Sequence, residues 1–246
     1  MISQALILAA GRGVRMGPRG QNIPKGFIAL GGVPLVARSL ALLAGAGIRD
    51  VTIVTGHLAE FYTRLSPPTG LSLTLLHNPL YAEKGSFESL RIGLSAMRGD
   101  FLLLESDIVY EPRALATVLA SPHDSLILAS GPTGAGDEVY VWADGAAGTA
   151  RFRAMSKSRT AHADAPFGEL VGISKLSRQL SAKLAQHAAE ARPEADYESA
   201  IVRAAGHIVI ACQRVDDLLW GEIDDEAMLA RVETALWPRI LAAGLS

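Results

Sequence analysis

Apolar runs alternate with helical patterns through the first half of the chain. Continuously apolar or β-branched runs predict buried strands at residues 5–10, 51–55, 71–77 and 101–104. Apolar residues at helical spacing predict helices at residues 33–46, 57–65 and 86–97. Because these strands are apolar on both faces and are separated by helices, the pattern predicts a parallel sheet that helices cover on both sides.

The second half of the chain has a more mixed pattern. It predicts strands at residues 125–130, 138–142, 151–155, 170–174 and 208–213. It predicts helices at residues 111–120, 177–191 and 196–205, and a last helix at about 226–243 with Asp224 or Asp225 as its N-cap. No low-complexity linker separates the two halves, so we expect one α/β domain over residues 1–246.

The composition is that of a globular protein with almost no net charge. Hydrophobic residues make up 49% of the 246 residues, far more than a disordered chain carries. Lys and Arg total 23 against 25 Asp and Glu, which gives a formal net charge of −2. A surface that binds nucleic acid needs clustered surplus cations, so the balance argues against nucleic acid as a partner. It still allows a small anionic ligand held by a few local cations.

The single cysteine, Cys212, excludes an internal disulfide and a multi-cysteine metal cluster. Cys212 ends an apolar run at residues 207–212, so we expect a buried structural thiol rather than a nucleophile. No apolar stretch reaches the ~18 residues of a membrane span. These features predict a cytoplasmic protein that does not enter a membrane.

The first predicted strand runs into a glycine-rich loop at residues 8–17, with the sequence LAAGRGVRMG. Glycines let backbone N–H groups approach anionic oxygens, and Arg15 and Lys25 add positive charge. A phosphate-binding loop therefore competes with an ordinary strand-to-helix turn. Two known phosphate folds fit poorly. A P-loop needs Ser or Thr after its lysine, where Gly26 stands, and a dinucleotide-binding loop needs its third glycine one position before Gly17.

Three carboxylates indicate a cation site. Asp107 stands just beyond an apolar strand, where open α/β sheets bind their ligands. Glu222 and Asp224 would point to the same face of an extended segment and would repel each other without a cation between them. Mg²⁺ suits such ligands together with phosphate oxygens. As the alternative, Asp107 and Asp224 cap the helices that follow them.

Several motifs together resemble one enzyme family. The glycine-rich loop followed by Pro24-Lys25 is similar to the signature of nucleotidyltransferases that join an NTP to a phosphorylated acceptor. Later segments resemble the cytidylyltransferases that act on phosphocholine and on 2-aminoethylphosphonate, namely residues 78–79, 81, 85–86, 105–110, 137–140, 155–157, 168–173, 197–198 and 220–224. The resemblance covers nearly the whole chain and departs at Ile23, where many relatives have a lysine. It implies a Rossmann-like three-layer α/β/α nucleotidyltransferase fold with a mostly parallel mixed central sheet.

The resemblance also implies roles for individual residues. The loop around the nucleotide triphosphate would include Leu8, Ala10, Gly11 and Gly13. The base and ribose pocket would include Gly85, Ser86 and Ser89, although Ser86 has an alternative role as the cap of its own helix. The catalytic cations that bind phosphate would be Arg15, Lys25 and Lys157. The Mg²⁺ ligands would be Asp107, Glu222 and Asp224.

The acceptor is expected to carry a phosphonate or phosphate and, in the zwitterionic candidates, an ammonium group. Asp137 and Glu138 follow a glycine-rich stretch and could meet that ammonium, or could remain a solvated acidic pair. Tyr140 and Trp142 share one face of a predicted strand and could form a cation–π wall. Packing in the core is an equal alternative for these two rings.

These features predict an Mg²⁺-dependent cytidylyltransferase. Its expected reaction condenses CTP with 2-aminoethylphosphonate to give CMP-(2-aminoethyl)phosphonate and pyrophosphate, in the biosynthesis of phosphonate conjugates. The alternatives are phosphocholine or a sugar phosphate as acceptor, and a nucleotide-binding module without catalysis. The sequence leaves open whether the protein forms a homodimer.

Overall fold

A nine-stranded sheet forms the centre of the structure. The computed structural model describes residues 2–145 and 148–244. Its strands are β1 (Gln4–Ala9), β2 (Ala29–Leu30), β3 (Val33–Pro34), β4 (Asp50–Thr55), β5 (Ser72–His77), β6 (Phe101–Glu105), β7 (Ile108–Tyr110), β8 (Leu126–Ser130), β9 (Tyr140–Asp144), β10 (Thr149–Ser156), β11 (Gly168–Leu176), β12 (Ala211–Val215) and β13 (Trp220–Glu222). The large sheet has the order β5-β4-β1-β6-β11-β8-β12-β10-β9, while β2 pairs with β3 and β7 pairs with β13.

The large sheet is mixed, and its two halves differ in strand direction. Strands β5, β4, β1 and β6 are parallel neighbours, as the alternating pattern of the first half predicts. Strand β11 runs antiparallel to both β6 and β8, and β10 runs antiparallel to both β12 and β9. The carboxyl ends of β1 and β6 therefore lie side by side at one edge of the sheet.

Helices cover both faces of this sheet. They are α1 (Pro18–Asn22), α2 (Leu35–Gly45), α3 (Ser86–Leu94), α4 (Arg113–Ala120), α5 (Arg178–Ala188), α6 (Tyr197–Ala205), α7 (Glu226–Arg231) and α8 (Trp237–Ala242). Single turns of 3-10 helix occur at Val14–Met16 and Lys25–Phe27, and a longer 3-10 segment at Ala59–Arg64.

Two apolar cores lie on opposite sides of the sheet. One contains Ile7 of β1 with side chains of α2 and α4. The other contains Leu6 of β1 with side chains of α3, α5 and α6. Neighbouring residues of one strand enter different cores because successive side chains point to opposite faces. This arrangement confirms the three-layer α/β/α fold that the resemblance implies.

Several predicted boundaries are wrong by a few residues. The strand predicted at 138–142 begins at Tyr140, so Asp137 and Glu138 lie in the loop before it. The predicted helix at 57–65 is a 3-10 segment that follows Leu58 in a left-handed conformation, with φ of 52°. The helix that starts at Ser86 ends at Leu94 rather than at residue 97. The short β2–β3 and β7–β13 pairs have only two or three residues a strand, too few for a periodic signal.

The last helical segment spans the predicted residues, but the type of helix changes along it. Between α7 and α8 lies a π-helical turn at Val232–Leu236. Pro238 stands near the start of α8, and it has no N–H to bond the carbonyl of Thr234. A π turn is a regular way to accommodate such a lost bond within a helix.

None of the helices in the described ranges is both long enough and apolar enough to span a membrane. Cys212 is fully buried in the core beside α6, which confirms the prediction of a buried thiol. Burial raises the pKa of this thiol to about 12, so almost none of it is thiolate near neutral pH.

The buried thiol gives a direct test of the core. At pH 8 we expect Cys212 to react with an aromatic disulfide reagent at least about 100-fold more slowly in the folded protein than in urea, because the thiolate forms only on opening. Absorbance of the released thiol measures both rates. Equal rates in buffer and in urea would contradict this packing.

Candidate active site

A cleft of about 250 Å³ opens where β1 and β6 end. Ligands of open α/β folds bind at this edge of the sheet. The residues that line the cleft include four cationic side chains, Arg15, Lys25, Lys84 and Lys157. Its acidic side chains are Glu105, Asp107, Glu198, Glu222 and Asp224. Opposite charges therefore share a small cleft at the position where the sequence predicts a nucleotide site.

The β7–β13 pair brings the distant carboxylates together. Glu222 at the end of β13 stands opposite Ile108 of β7. The backbone N–H of Ile223 then donates to the carbonyl of Asp107 at 2.9 Å. Ile223 is completely buried, so the flanking side chains Glu222 and Asp224 turn toward the cleft. Asp225 caps α7 by accepting from the N–H of Met228 at 2.7 Å, which leaves Asp224 available to the site.

The glycine-rich loop positions Lys25 through close backbone packing. Gly13 has a φ of 60°, and a side chain there would press on the aliphatic part of Lys25. A Cβ at Gly20 would overlap the carbonyl of Gly13. The Lys25–Phe27 turn is held by Phe27, whose ring packs edge-on against Tyr62 at 5.0 Å between centroids. Glycine in the loop at Gly13 and in α1 at Gly20 thus lets the two segments pack closely enough to bring Lys25 to the cleft.

Lys25 and Arg15 bind the predicted metal ligands directly. The Lys25 ammonium contacts both Asp107 and Asp224, which are 82 and 199 residues away in sequence. Arg15 contacts Asp224 and also Asp137. Asp137 lies in the loop at residues 131–139 between β8 and β9, here called the acceptor-side loop. Burial alone would lower the pKa of Lys25, but the charges of Asp107 and Asp224 outweigh burial and raise it.

Glu222 and Asp224 lie in contrasting electrostatic environments. Burial raises the pKa of the Glu222 carboxyl far above its ordinary value, and the charges of Glu105 and Asp107 act in the same direction. Burial would also raise the pKa of Asp224, but the neighbouring ammonium of Lys25 lowers it below its ordinary value. The surroundings of Glu222 therefore favour its neutral form, whereas those of Asp224 favour its charged form.

A group of three carboxylates has the spacing of a cation site. Oxygens of Glu105, Asp107 and Glu222 all lie within 4.8 Å of one another. Glu105 also accepts from the Tyr197 hydroxyl at 2.6 Å. Gly172, with a φ of 75°, stands against this carboxylate, and a side chain at Gly172 would overlap it. The sequence prediction used Asp224 where this group has Glu105.

The predicted base pocket is supported by α3 and the start of α6. Gly85, Ser86 and Ser89 all line the cleft, as do Leu8, Ala10 and Gly11 of the glycine-rich loop. Gly13 supports Lys25 and is not among the residues that line it. Ser86 does not cap α3, as the alternative prediction held, because its Oγ accepts from the N–H of Tyr197 at 2.9 Å. Gly85 is required by packing, since a Cβ there would overlap the carbonyl of Ala195.

The predicted acceptor residues lie in and beside a smaller cavity of about 50 Å³, here called the side chamber. Asp137 and Glu138 line the side chamber, and Tyr140 is absent from its described lining. The Tyr140 hydroxyl donates to Glu138 at 3.3 Å. Burial would raise the pKa of Glu138, but the N–H of Gly136 and other donors lower it. Trp142 is fully buried and its indole N–H donates to a backbone carbonyl, so core packing, the alternative to a cation–π wall, holds for this ring.

Sequence reasoning missed several residues that line the cleft. These are Tyr62, Tyr81, Lys84, Glu105, Ser106, Tyr197 and Glu198. All of these except Tyr62 and Lys84 lay inside segments that carried the resemblance, but none had been given a role. Burial, and then the charge of Asp196, raises the pKa of the Glu198 carboxyl above its ordinary value. Tyr62 and Lys84 gave no signal because their contribution depends on tertiary packing.

Comparison with known proteins agrees with this geometry. The sequence profile of the MobA-like NTP transferase domain matches residues 5–219, and the chain belongs to that family. This membership confirms the predicted class, a nucleotidyltransferase.

Two curated relatives and one solved structure are similar to this chain. CMP-5'-(3-aminopropyl)phosphonate synthase of Streptomyces rubellomurinus is 35% identical over 146 residues, 58% of this chain and 23% of that protein. The 2-aminoethylphosphonate cytidylyltransferase of Lancefieldella rimae is 30% identical over 108 residues, 44% of each chain. The chain thus spans less than half the length of these two relatives. The solved CTP:phosphocholine cytidylyltransferase of Streptococcus pneumoniae has the same fold, with a TM-score of 0.74, 17% identity and coverage of 95% of this chain and 98% of that one.

The buried carboxylates give a prediction for stability. Glu222 has a raised pKa when folded, so the folded protein keeps a proton that the unfolded chain releases above about pH 4.3. Stability must therefore fall as pH rises from there toward the folded pKa. In EDTA at pH 8 we expect Glu222→Gln to raise the free energy of unfolding by about 1–2 kcal/mol and to flatten its decline between pH 6 and pH 8.

Urea unfolding of the wild type and of Glu222→Gln at pH 6 and at pH 8 measures both free energies of unfolding. Glu233→Gln is the matched control, because Glu233 is exposed on the last helix and should leave stability unchanged. A loss of stability in Glu222→Gln at pH 8 would show that the Glu222 charge is compensated in the folded protein.

Proposed function

We propose that the protein is a cytidylyltransferase that moves CMP from CTP onto a small phosphonate with an amino group, with 2-aminoethylphosphonate as the leading candidate. The observation that carries this proposal is the cleft at the ends of β1 and β6, where Lys25 and Arg15 face Asp107, Glu222 and Asp224. Two relatives named for aminoalkylphosphonates support the choice of acceptor.

The carboxylate group fits a divalent cation with hard oxygen ligands. Asp107 and Glu222, together with Glu105, place their oxygens close enough for one ion, and Asp224 lies beside Glu222. Mg²⁺ is the cation such ligands favour when phosphate oxygens complete the shell. When bound, it would neutralise charge on the triphosphate and on the leaving pyrophosphate.

Lys25 would act by exchanging partners, since its ammonium now contacts Asp107 and Asp224. Arg15 contacts Asp137, and Lys157 lies 3.5 Å from it. These two side chains would keep Asp137 while their remaining N–H donors turn to the phosphates. Triphosphate oxygens offer these three cations more negative charge at the same place. Because the phosphonate of the acceptor is already an anion, attack on the α-phosphorus needs no general base. These residues then contribute by alignment and by neutralising the charge that develops on the phosphates.

The base and ribose would occupy the part of the cleft lined by Gly85, Ser86 and Ser89. Ser89 Oγ accepts from Asn78 at 3.0 Å, which fixes its position below the cleft. The glycine-rich loop, through Ala10 and Gly11, would lie along the triphosphate.

Phosphocholine is the second candidate acceptor, supported by the shared fold with a phosphocholine cytidylyltransferase. A sugar phosphate requires the same chemistry. A nucleotide-binding module without catalysis is disfavoured, because Lys25 and all three predicted metal ligands meet in the cleft. The homodimer and the cytoplasmic location remain predictions.

Release of pyrophosphate tests the proposal. With CTP, Mg²⁺ and 2-aminoethylphosphonate, we expect steady pyrophosphate release that stops in EDTA. Lys25→Ala and Asp107→Asn should each lower kcat about 10²- to 10³-fold, because each removes a group that acts on charge in the transition state. Lys183→Ala, on α5 away from the cleft, is the control and should keep full activity. Near-normal turnover in either site variant would overturn the assignment.

A further inference from the structure

The side chamber adjoins the nucleotide cleft. The two cavities share Glu105, Lys157, Glu198 and Glu222 in their linings. The rest of the side chamber comes from the acceptor-side loop, from Leu170 of β11, from β13 and from α7. An acceptor whose phosphonate lies beside Glu222 and Lys157 would therefore extend its other end into this small space.

Most acidic groups around the side chamber already have partners. Asp137 is bound by Arg15 and lies 3.5 Å from the Lys157 ammonium. Glu138 accepts from the N–H of Gly136 at 3.0 Å and from the hydroxyl of Tyr140. These bonds leave neither Asp137 nor Glu138 as a ready partner for a new cation.

Glu198 differs from these acids. Its Oε2 is shielded from solvent and has no hydrogen-bond partner in the described part of the chain. A shielded carboxylate oxygen without a donor costs free energy, and a ligand that supplies an N–H can recover it. Glu198 itself lines both the cleft and the side chamber.

The surroundings of Glu198 hold it in place. It stands in the first turn of α6, which Asp196 caps by accepting from the N–H of Ser199 at 2.7 Å. Its neighbour Tyr197 donates through its backbone to Ser86 and through its hydroxyl to Glu105. Tyr197 thus ties the first turn of α6, which carries Glu198, both to the base pocket and to the carboxylate group. This fixes Glu198 relative to the proposed nucleotide site.

The side chamber has few aromatic surfaces. Trp220 is the aromatic residue in its described lining, since Trp142 is in the core. A quaternary ammonium has no N–H and is usually bound by several aromatic rings. A primary ammonium has three N–H donors and needs acceptor oxygens, which this small cavity supplies.

Resting on the proposed function, we propose that Glu198 Oε2 binds a primary ammonium group of the acceptor. The side chamber thereby selects an aminoalkyl group over a trimethylammonium group. Glu198 is a specificity-determining residue in this account, and Asp137 serves Arg15 and Lys157 instead.

Paired acceptors test this assignment in the full-length protein. Pyrophosphate release with CTP and Mg²⁺ is measured for 2-aminoethylphosphonate, for its N-trimethyl analogue and for ethylphosphonate, which lacks the amine. The wild type should prefer 2-aminoethylphosphonate over both by about 100-fold in kcat/KM. Glu198→Gln should lose about 100-fold on 2-aminoethylphosphonate, mainly through KM, and change by less than about 3-fold on ethylphosphonate.

Two further variants separate Glu198 from other acids. Asp137→Asn tests the rival anchor and should keep the preference for the amine, while the exposed control Glu233→Gln should match the wild type. Retention of the amine preference in Glu198→Gln, or its loss in Asp137→Asn, would overturn the inference. So would a wild type that uses the N-trimethyl analogue equally well, a result that needs no variant to fold. If the wild type released no pyrophosphate with any acceptor, the proposed function itself would fail, and this inference with it.

Discussion

The site depends on a short antiparallel pair, β7 with β13. This pair places the segment that follows β6 beside the segment that precedes α7, and the hydrogen bond from Ile223 to Asp107 extends it by one step. Buried Ile223 fixes the register, because a shift by one residue would exchange it with a neighbouring carboxylate. Without this pairing Asp107 and Glu222 would have no reason to meet. Two short strands of three residues each thus determine where the negative charge of the cleft lies.

Cationic side chains neutralise only some of the carboxylates that this pairing brings into the cleft. Asp107 and Asp224 are compensated by Lys25, and Asp137 by Arg15 and Lys157. The carboxyls of Glu105, Glu198 and Glu222 have raised pKa values because they are buried among other acids. A metal–nucleotide complex brings both signs of charge, which suits a cleft with partly paired charges of both kinds. The overall net charge of −2 conceals this separation.

Much of the fold was predictable from the sequence, because strands such as β1 and β6 are continuously apolar and glycine or proline marks their ends. The grouping of Lys25, Asp107, Glu222 and Asp224 was also predictable, because the resemblance to nucleotidyltransferases implies that these residues share one site. The contribution of Glu105 was not, because it depends on Gly172 across the sheet and on Tyr197 from a distant helix. The choice between a cation–π wall and core packing for Trp142 stayed open for a related reason: alternation along β9 shows that two rings share a face, but not whether that face is buried. Sequence patterns report local periodicity, whereas these features arise from contacts between distant segments.

Lys25 is proposed to exchange its carboxylate partners for phosphate oxygens when the nucleotide binds. A crystal structure of the protein with CTP and Mg²⁺ would show this exchange. We expect the Lys25 ammonium on triphosphate oxygens, a cation between Asp107 and Glu222, and the base against Gly85 and Ser86. A nucleotide bound elsewhere, with Lys25 still held between Asp107 and Asp224, would contradict it.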